Sequence, residues 1–361
     1  MNGYGNSVFL RTAWEVSGGV PPVNTVAPAI TGTAQEGQIV TCSTGTWTGT
    51  PTITFAYQWK RNGSNIGSAT NSTYTLVTAD VSQSITCQVT ATNGAGSASA
   101  TSNTITPTAA LDPDAQAFIT AAAITDPTQQ AAINTLVVDL KGYSVWTKMK
   151  ALYPMVGGTA SQHKFNLKNP LDTDAAFRMT FHGGVTHSSN GITFATNGYA
   201  DTKWLPSANS TTSNVSGGAY SRTNLTADYA ILGALSTGFN GLIIFPKGTS
   251  GITFYGANNY IVDGSGNFVT DTRGLFHVNR DSLTVSRLYQ NGSSIANTIP
   301  SISSAPAFPV YLGARNNVGT AQSYFNGNLA FGFLGDTLTL TESANFYTAV
   351  QAFQTTLSRQ V

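Results

Sequence analysis

Apolar and polar residues alternate with period two through most of this 361-residue chain, the mark of strands that bury one face. Between residues 21 and 107 the alternation runs through QIVTCSTGTW, ITFAYQWKRNG, STYTLV and SITCQVTATN. Turn signals at Asn62-Gly63 and Asn93-Gly94 punctuate it at the spacing of a sandwich. The period then changes. From 111 to 157 the chain is Ala-rich, and Asp112 and Asp126 each stand before a proline. A carboxylate at the N-cap followed by Pro in the first turn predicts two helix starts. Ala131, Ile133, Leu136, Val137 and Leu140 give the second helix an apolar stripe, Gly142 breaks it, and Val145, Trp146, Met149 and Leu152 predict a further short helix. From 160 onward the strand pattern returns in AFRMTF, GITFA, YADTKWL, YAILGAL, GLIIF, ITFYG, GLFHVNR, TVSRLYQNG, PVYLGAR and SYFNGNLAFGFLG. So many evenly spaced strands predict a two-sheet jelly roll or barrel. A closing helix is expected after Thr341 as cap, with Phe346, Val350, Phe353 and Leu357 on one face.

Four zones follow: an N-terminal anchoring segment (1–20), a β-sandwich (21–107), a helical connector (108–159) and a jelly roll (160–361). The first carries Phe9, Leu10 and Trp14 between Gly-rich ends and is too small to fold alone. Its apolar residues need either another protein's surface or the body of the chain, and the former would also serve a symmetric homo-oligomer.

Composition narrows the function. Charged residues are only 9% of the chain while apolar content is 41%. Disorder combines low hydrophobicity with high charge, so a folded, Gly- and Thr-rich β protein is expected instead. The net charge is +1 with no basic run, which argues against nucleic-acid binding. No apolar run reaches about 18 residues, so no membrane span is expected. The first twenty residues lack the basic start and apolar block of a secretory signal. An outward-facing composition without an export signal predicts a protein made in the cytosol and released by lysis.

Candidate chemistry is sparse. Cys42 and Cys87 are expected as core neighbours and a disulfide candidate. The four histidines are His163, His182, His187 and His277. His182 and His187 flank a Gly-Gly stretch without a suitably spaced carboxylate or thiolate, which suits a turn better than a metal. Asp263, Ser265 and Asn267 superficially form a calcium loop but lack a terminal bidentate acid, so a hairpin turn is the expectation and no cofactor is assigned. No nucleophile elbow, phosphate loop or HExxH helix occurs, no catalytic residue is named, and an enzyme is not expected. Glycan contacts would need flat aromatic platforms beside polar donors. Trp204, Tyr220, Tyr255 and Tyr260, near loop or strand ends, are the probes for such a site.

Two resemblances rest on these residues. Cys42, Trp59 and Cys87 stand in the order and approximate spacing of an immunoglobulin core, with Ile85 where a tyrosine corner would be. On PAITGTAQEGQIVTCSTGTWTG and YQWKRNGSNIGSATNSTYTLVTADVSQSITCQVTATNGAGS, residues 21–107 resemble the immunoglobulin-like modules of bacterial adhesins and phage virion proteins. The chain from about 111 onward resembles a recurrent phage structural module. Within it TVSRLYQNGSSI, PVYLGARN and FNGNLAFGFLG are similar to concanavalin/laminin-G-like domains. The resemblance implies a bacteriophage structural protein on the virion surface, docked on other virion proteins by its N-terminal segment or helical connector. Host-surface attachment in a tail fibre, baseplate or collar is the implied role. The alternatives are a capsid decoration or head fibre, a carbohydrate-binding module recognising host surface glycan, and a glycan-degrading enzyme.

Overall fold

The computed structural model describes residues 18–237, 240–249, 253–260, 262–264, 269–280, 285–298 and 304–361. The chain forms two compact units that divide between Ala110 and Leu111. The expected anchor residues Phe9, Leu10 and Trp14 lie outside the described residues.

The first unit is an immunoglobulin-like sandwich. Its strands are β1 (Val20–Val26), β2 (Ile30–Thr31), β3 (Ile39–Cys42), β4 (Thr46–Thr50), β5 (Thr54–Arg61), β6 (Ser64–Asn65), β7 (Thr73–Thr75), β8 (Ile85–Asn93) and β9 (Gly96–Thr101). One sheet runs β6-β5-β8-β9 and another β2-β3-β7, with β1 and β4 paired separately. The alternation read in SITCQVTATN holds here: Ile85, Cys87, Val89 and Ala91 are fully buried. Ile85, Cys87 and Val89 pack with Val40, Cys42, Leu76 and Trp59 in one core. Trp59 stacks on Tyr74 at 5.4 Å and its indole N–H donates to the Asn71 carbonyl at 2.9 Å. Cys42 and Cys87 stand as free, buried thiols. A hydrogen bond between them holds Cys42 below and Cys87 above the usual thiol range.

A second buried polar group was not singled out by the sequence. The Asp80 carboxylate is fully buried and accepts from Arg61 Nε at 2.8 Å, the Tyr74 hydroxyl at 2.9 Å and the Val77 N–H at 2.8 Å. It ties the turn before β8 to β5 and β7, in place of the absent tyrosine corner. Asp80→Ala leaves the donors of three residues without their acceptor, and we expect it to cost the first unit about 3 kcal/mol. Urea unfolding of the full chain, read on that unit's transition, measures this; a loss under about 1 kcal/mol would show that the cluster is dispensable.

The second unit has three layers. Helices α1 (Pro113–Ala121) and α2 (Pro127–Gly142) open it, capped by the Asp112 and Asp126 carboxylates as expected. A single 3-10 turn (Trp146–Lys148) follows, and then strand β10 (Met149–Tyr153). The short helix expected across Val145–Leu152 is therefore corrected. Met149 and Leu152 lie on a strand, since β10 pairs with a later strand through Leu152↔Phe333. A further helix, α3 (Ala160–His163), precedes β11 (Thr180–His182), β12 (Val185–Ser188), β13 (Gly191–Phe194) and β14 (Tyr199–Asp201). After α4 (Pro206–Asn209) come β15 (Val215–Ser221), β16 (Leu232–Leu235), β17 (Asn240–Phe245), β18 (Thr253–Tyr260) and β19 (Val262–Gly264). Then follow β20 (Gly274–Arg280), β21 (Ser286–Gln290), β22 (Ser293–Thr298), β23 (Tyr311–Leu312), β24 (Arg315–Asn317), β25 (Thr320–Gln322), β26 (Asn328–Gly335) and helix α5 (Leu340–Thr356).

Two sheets face each other, ordered β12-β13-β26-β15-β20-β21-β22, with β10 also on β26, and β11-β14-β23-β16-β17-β18-β19. The hairpin β24–β25 joins the second sheet through a parallel pairing with β16. Between them lies a core that includes Phe194, Trp204, Leu232, Ile244, Tyr255, Phe276 and Leu312. The helices cover the other face of the first sheet. Phe118, Ile133, Leu136 and Leu140 share a core with Tyr220, Phe331, Phe333, Phe346, Val350 and Phe353. The helical segment thus packs as a layer of the second unit. The strands of the first sheet are buried on both faces, so β15 and β20 read as continuous buried runs rather than alternating ones. Gly218 on β15 has no room for a side chain, because a Cβ there would stand 2.2 Å from the Phe276 carbonyl.

Helix α5 begins two residues earlier than expected. Thr339, not Thr341, is the cap, accepting from the Glu342 N–H while Glu342 accepts from Thr339 N–H. Beyond α5 the chain turns inward and buries Arg359 completely. Its guanidinium donates to the carbonyls of Met155 at 2.8 Å, Pro154 at 3.1 Å and Ala330 at 3.1 Å, and to Gln354 Oε1 at 2.9 Å. No helix among the described residues is long and apolar enough to cross a membrane.

Candidate functional site

The aromatic probes chosen from the sequence are not surface platforms. Trp204 and Tyr220 are fully buried and Tyr255 is 2% exposed. Trp204 and Tyr255 fill the core between the sheets. Tyr220 points under the helical layer, where its hydroxyl donates to Gln351 Oε1 at 2.9 Å. Loop proximity misled here: these rings pack inward, and a buried ring offers no face to a sugar. Tyr260 ends β18, and its side chain lies outside the described residues. Asp263 sits on β19 opposite Phe254, with its side chain outside the described residues, as are Ser265 and Asn267. Among the described residues no cluster of three or more His, Cys, Asp and Glu side chains could hold a metal.

Two of the histidines meet. His163 is buried, and its Nδ1 lies 3.0 Å from His187 Nδ1. Because the Gly158 N–H donates to His163 Nε2, the proton of neutral His163 sits on Nδ1 and points at His187. Burial, together with the neighbouring His187 and Arg359, pushes His163 down to about 3. His277 is fully buried, stacked on Tyr289 at 4.3 Å, and burial pushes it down to about 3 as well. These are interior groups.

An aromatic array with solvent-facing members lies on the outer face of the second sheet. Ala200 and Leu312 belong to the core between the sheets. Their neighbours Tyr199, Asp201 and Tyr311 therefore point the other way. The register places His182 opposite Tyr199 and Asp201 opposite Tyr311. The rings form a ladder across three strands: His182 stacks on Tyr199 at 4.8 Å and Tyr199 on Tyr311 at 4.5 Å. Tyr324, from the segment after β25, flanks Tyr199 at 6.4 Å. His182 is exposed, Tyr199 and Tyr324 are half-buried, and Tyr311 is 8% exposed.

Polar groups rim the ladder. Asp201 accepts from the Lys203 N–H at 2.8 Å and from Lys203 Nζ at 2.7 Å. Tyr324 donates to the Ala321 carbonyl. Desolvation, with the Asp201 charge second, pushes Tyr311 up to about 12 and Tyr199 in the same direction. The phenols thus stay protonated as donors at neutral pH. Flat apolar ring faces bounded by fixed donors and acceptors are what a pyranose needs: C–H groups on the ring, hydroxyls on the rim. The signal was present in the sequence as Tyr-Ala-Asp and Val-Tyr-Leu, which assign faces. Partnership between strands more than a hundred residues apart was not readable.

No protein-family model and no curated protein matches the chain. Among solved structures it is similar to domain 4 of AbnA, a GH43 extracellular arabinanase from Geobacillus stearothermophilus, in complex with arabinotriose. That likeness has a TM-score of 0.40 at 14% identity and covers 55% of this chain and 98% of that one. The Ruminococcus gnavus IT-sialidase CBM40 bound to α2,3 sialyllactose matches with a TM-score of 0.28 at 16% identity, over 35% of this chain and 76% of that one. The binding domain of botulinum neurotoxin serotype G matches with a TM-score of 0.34 at 12% identity, covering 55% of this chain, which spans 50% of the toxin domain. At these levels the likenesses assign no function, and the sandwich architecture rests on the sheet order itself.

Proposed function

We propose that the chain is a non-catalytic recognition protein whose second unit binds surface carbohydrate on the His182–Tyr199–Tyr311 ladder. The observation that supports this reading is the stack of rings on three adjacent strands, with His182 exposed and Tyr199 half-buried above the largely covered Tyr311, in a protein whose other large aromatics are mostly core. A ring array held by a sheet is a rigid platform, so little conformational entropy is lost when a sugar settles on it.

Tyr199 is the middle rung. Replacing Tyr199 with alanine should weaken glycan binding at least about tenfold, equivalent to about 1.4 kcal/mol, while leaving the thermal midpoint nearly unchanged because the ring is half-exposed. Titration calorimetry of the full chain with the tightest ligand from a glycan array checks this. Equal affinity of the variant and its parent would remove the ladder from the binding site.

A placement on a virion surface is proposed on the sequence resemblance of both units to phage modules. Host attachment by a tail fibre, baseplate or collar follows from that placement combined with a glycan-binding face, and capsid decoration is the other position it allows. Labelled antibody on intact particles distinguishes the two, and absence of label from particles would reject both.

A further inference from the structure

We propose that the sugar bound at the ladder carries an oxyanion, and that Arg315 is the residue that reads it; this rests on the carbohydrate reading above. Arg315 opens β24, which lies along β16. Gly233 on β16 is directly opposite Tyr311, and a Cβ at Gly233 would stand 2.8 Å from Arg315 Cβ. Arg315 therefore lies over Gly233, on the same outer face as Tyr311 and one strand away, about 5 Å across the sheet. The missing side chain at 233 is what lets the backbone and Cβ of Arg315 settle over β16, one strand from Tyr311.

The guanidinium is under-used. Its Nη2 donates to Gln322 Oε1 at 3.0 Å, an oxygen that also takes the Asn317 amide at 3.1 Å. Its Nε is buried with no hydrogen-bond partner. No carboxylate among the described residues lies within ion-pair distance of it. Three other arginines of this charge-poor chain are paired with carboxylates, Arg61 with Asp80, Arg178 with Asp172 and Asp174, and Arg273 with Asp271, while Arg359 is satisfied by carbonyl and amide oxygens. Asp201, the acid of the ladder, is already neutralised by Lys203. The face thus keeps an uncompensated cation, and partial burial holds Arg315 below the usual arginine range. Leaving such a group without an acceptor is unfavourable, and a carboxylate or phosphoryl oxygen supplies the acceptors it lacks. The ring of Phe245, 5.9 Å from Arg315 Cζ, is at the outer limit of a cation–π contact and does not replace them.

The test is an array of matched neutral, carboxylated and phosphorylated oligosaccharides probed with the full chain and with the Arg315→Gln, Arg315→Lys and Tyr199→Ala variants. We expect the parent to prefer one oxyanion class over its neutral counterparts by tenfold or more, the two acidic arms showing which. Arg315→Gln should abolish that preference while retaining neutral binding, Arg315→Lys should keep only part of it, and Tyr199→Ala should weaken every ligand. A merely structural Arg315 would shift melting without changing the acidic-to-neutral ratio. Equal parent binding of neutral and acidic sugars, or an unchanged ratio in Arg315→Gln, overturns the assignment and leaves the ladder standing. Binding of no sugar at all overturns both.

Discussion

Replacing Arg359 with alanine is expected to destabilise the second unit by about 4 kcal/mol, the range found when a buried charged partner is removed. The residue is fully buried, and its guanidinium joins two backbone segments and the side chain of Gln354. It donates to Pro154 and Met155 after β10, to Ala330 in β26, and to Gln354 in α5. Those carbonyls have no water to turn to once the side chain is gone, and each buried acceptor left unpaired costs about 1 kcal/mol or more. A cavity of arginine size adds to the loss. Burial pushes this guanidinium down to about 9, so it remains charged at neutral pH. Arg359→Lys keeps the charge but lacks the planar fork, and should recover about half of the loss. Denaturant unfolding of the two variants measures both values; an Arg359→Ala loss within about 1 kcal/mol would mean that the tail is not a lock.

Mild acid should destabilise the second unit before its carboxylates titrate. His163 and His277 are both pushed down to about 3 in the folded chain, against about 6.5 when unfolded. Below about pH 6.5 the unfolded chain binds protons that the folded chain refuses. The stability is therefore complete above that pH and is lost as pH falls toward about 3. Each histidine contributes about 1.4 kcal/mol per pH unit, so the pair removes about 4 kcal/mol between about pH 6.5 and 5. His187, lowered by burial, adds in the same direction. His277→Phe separates the contributions. The ring stacks on Tyr289 and meets Phe333 edge-on, and neither nitrogen has a hydrogen-bond partner. Phenylalanine should thus hold stability near neutral pH and halve the acid slope. Stability that stays flat over that pH window would refute the assignment.

The sequence spoke most clearly where structure is local. Asp112 and Asp126 cap their helices because a carboxylate, a proline and a helical turn are sequence neighbours. Trp59 and the alternation around Cys87 mark the first sandwich for the same reason. Errors arose where tertiary pairing overrides a local pattern. Met149 and Leu152 have helical spacing, but β26 offered unpaired backbone and took them as a strand. Thr341 lost the cap to Thr339, whose position lets Glu342 complete a capping box. The candidate site was the least legible part. Trp204, Tyr220 and Tyr255 drew attention by size and loop proximity, and all three are interior. His182, Tyr199, Tyr311 and Tyr324 are unremarkable in spacing and become a surface only when the sheet order brings β11, β14 and β23 side by side.

The central claim is that the outer face of the second sheet meets carbohydrate. Hydrogen–deuterium exchange of the full chain, with and without a saturating array-selected oligosaccharide, tests it most directly. Protection should concentrate in peptides covering 180–182, 199–203 and 311–324. Protection confined to the first unit, or to segments remote from those strands, would contradict it.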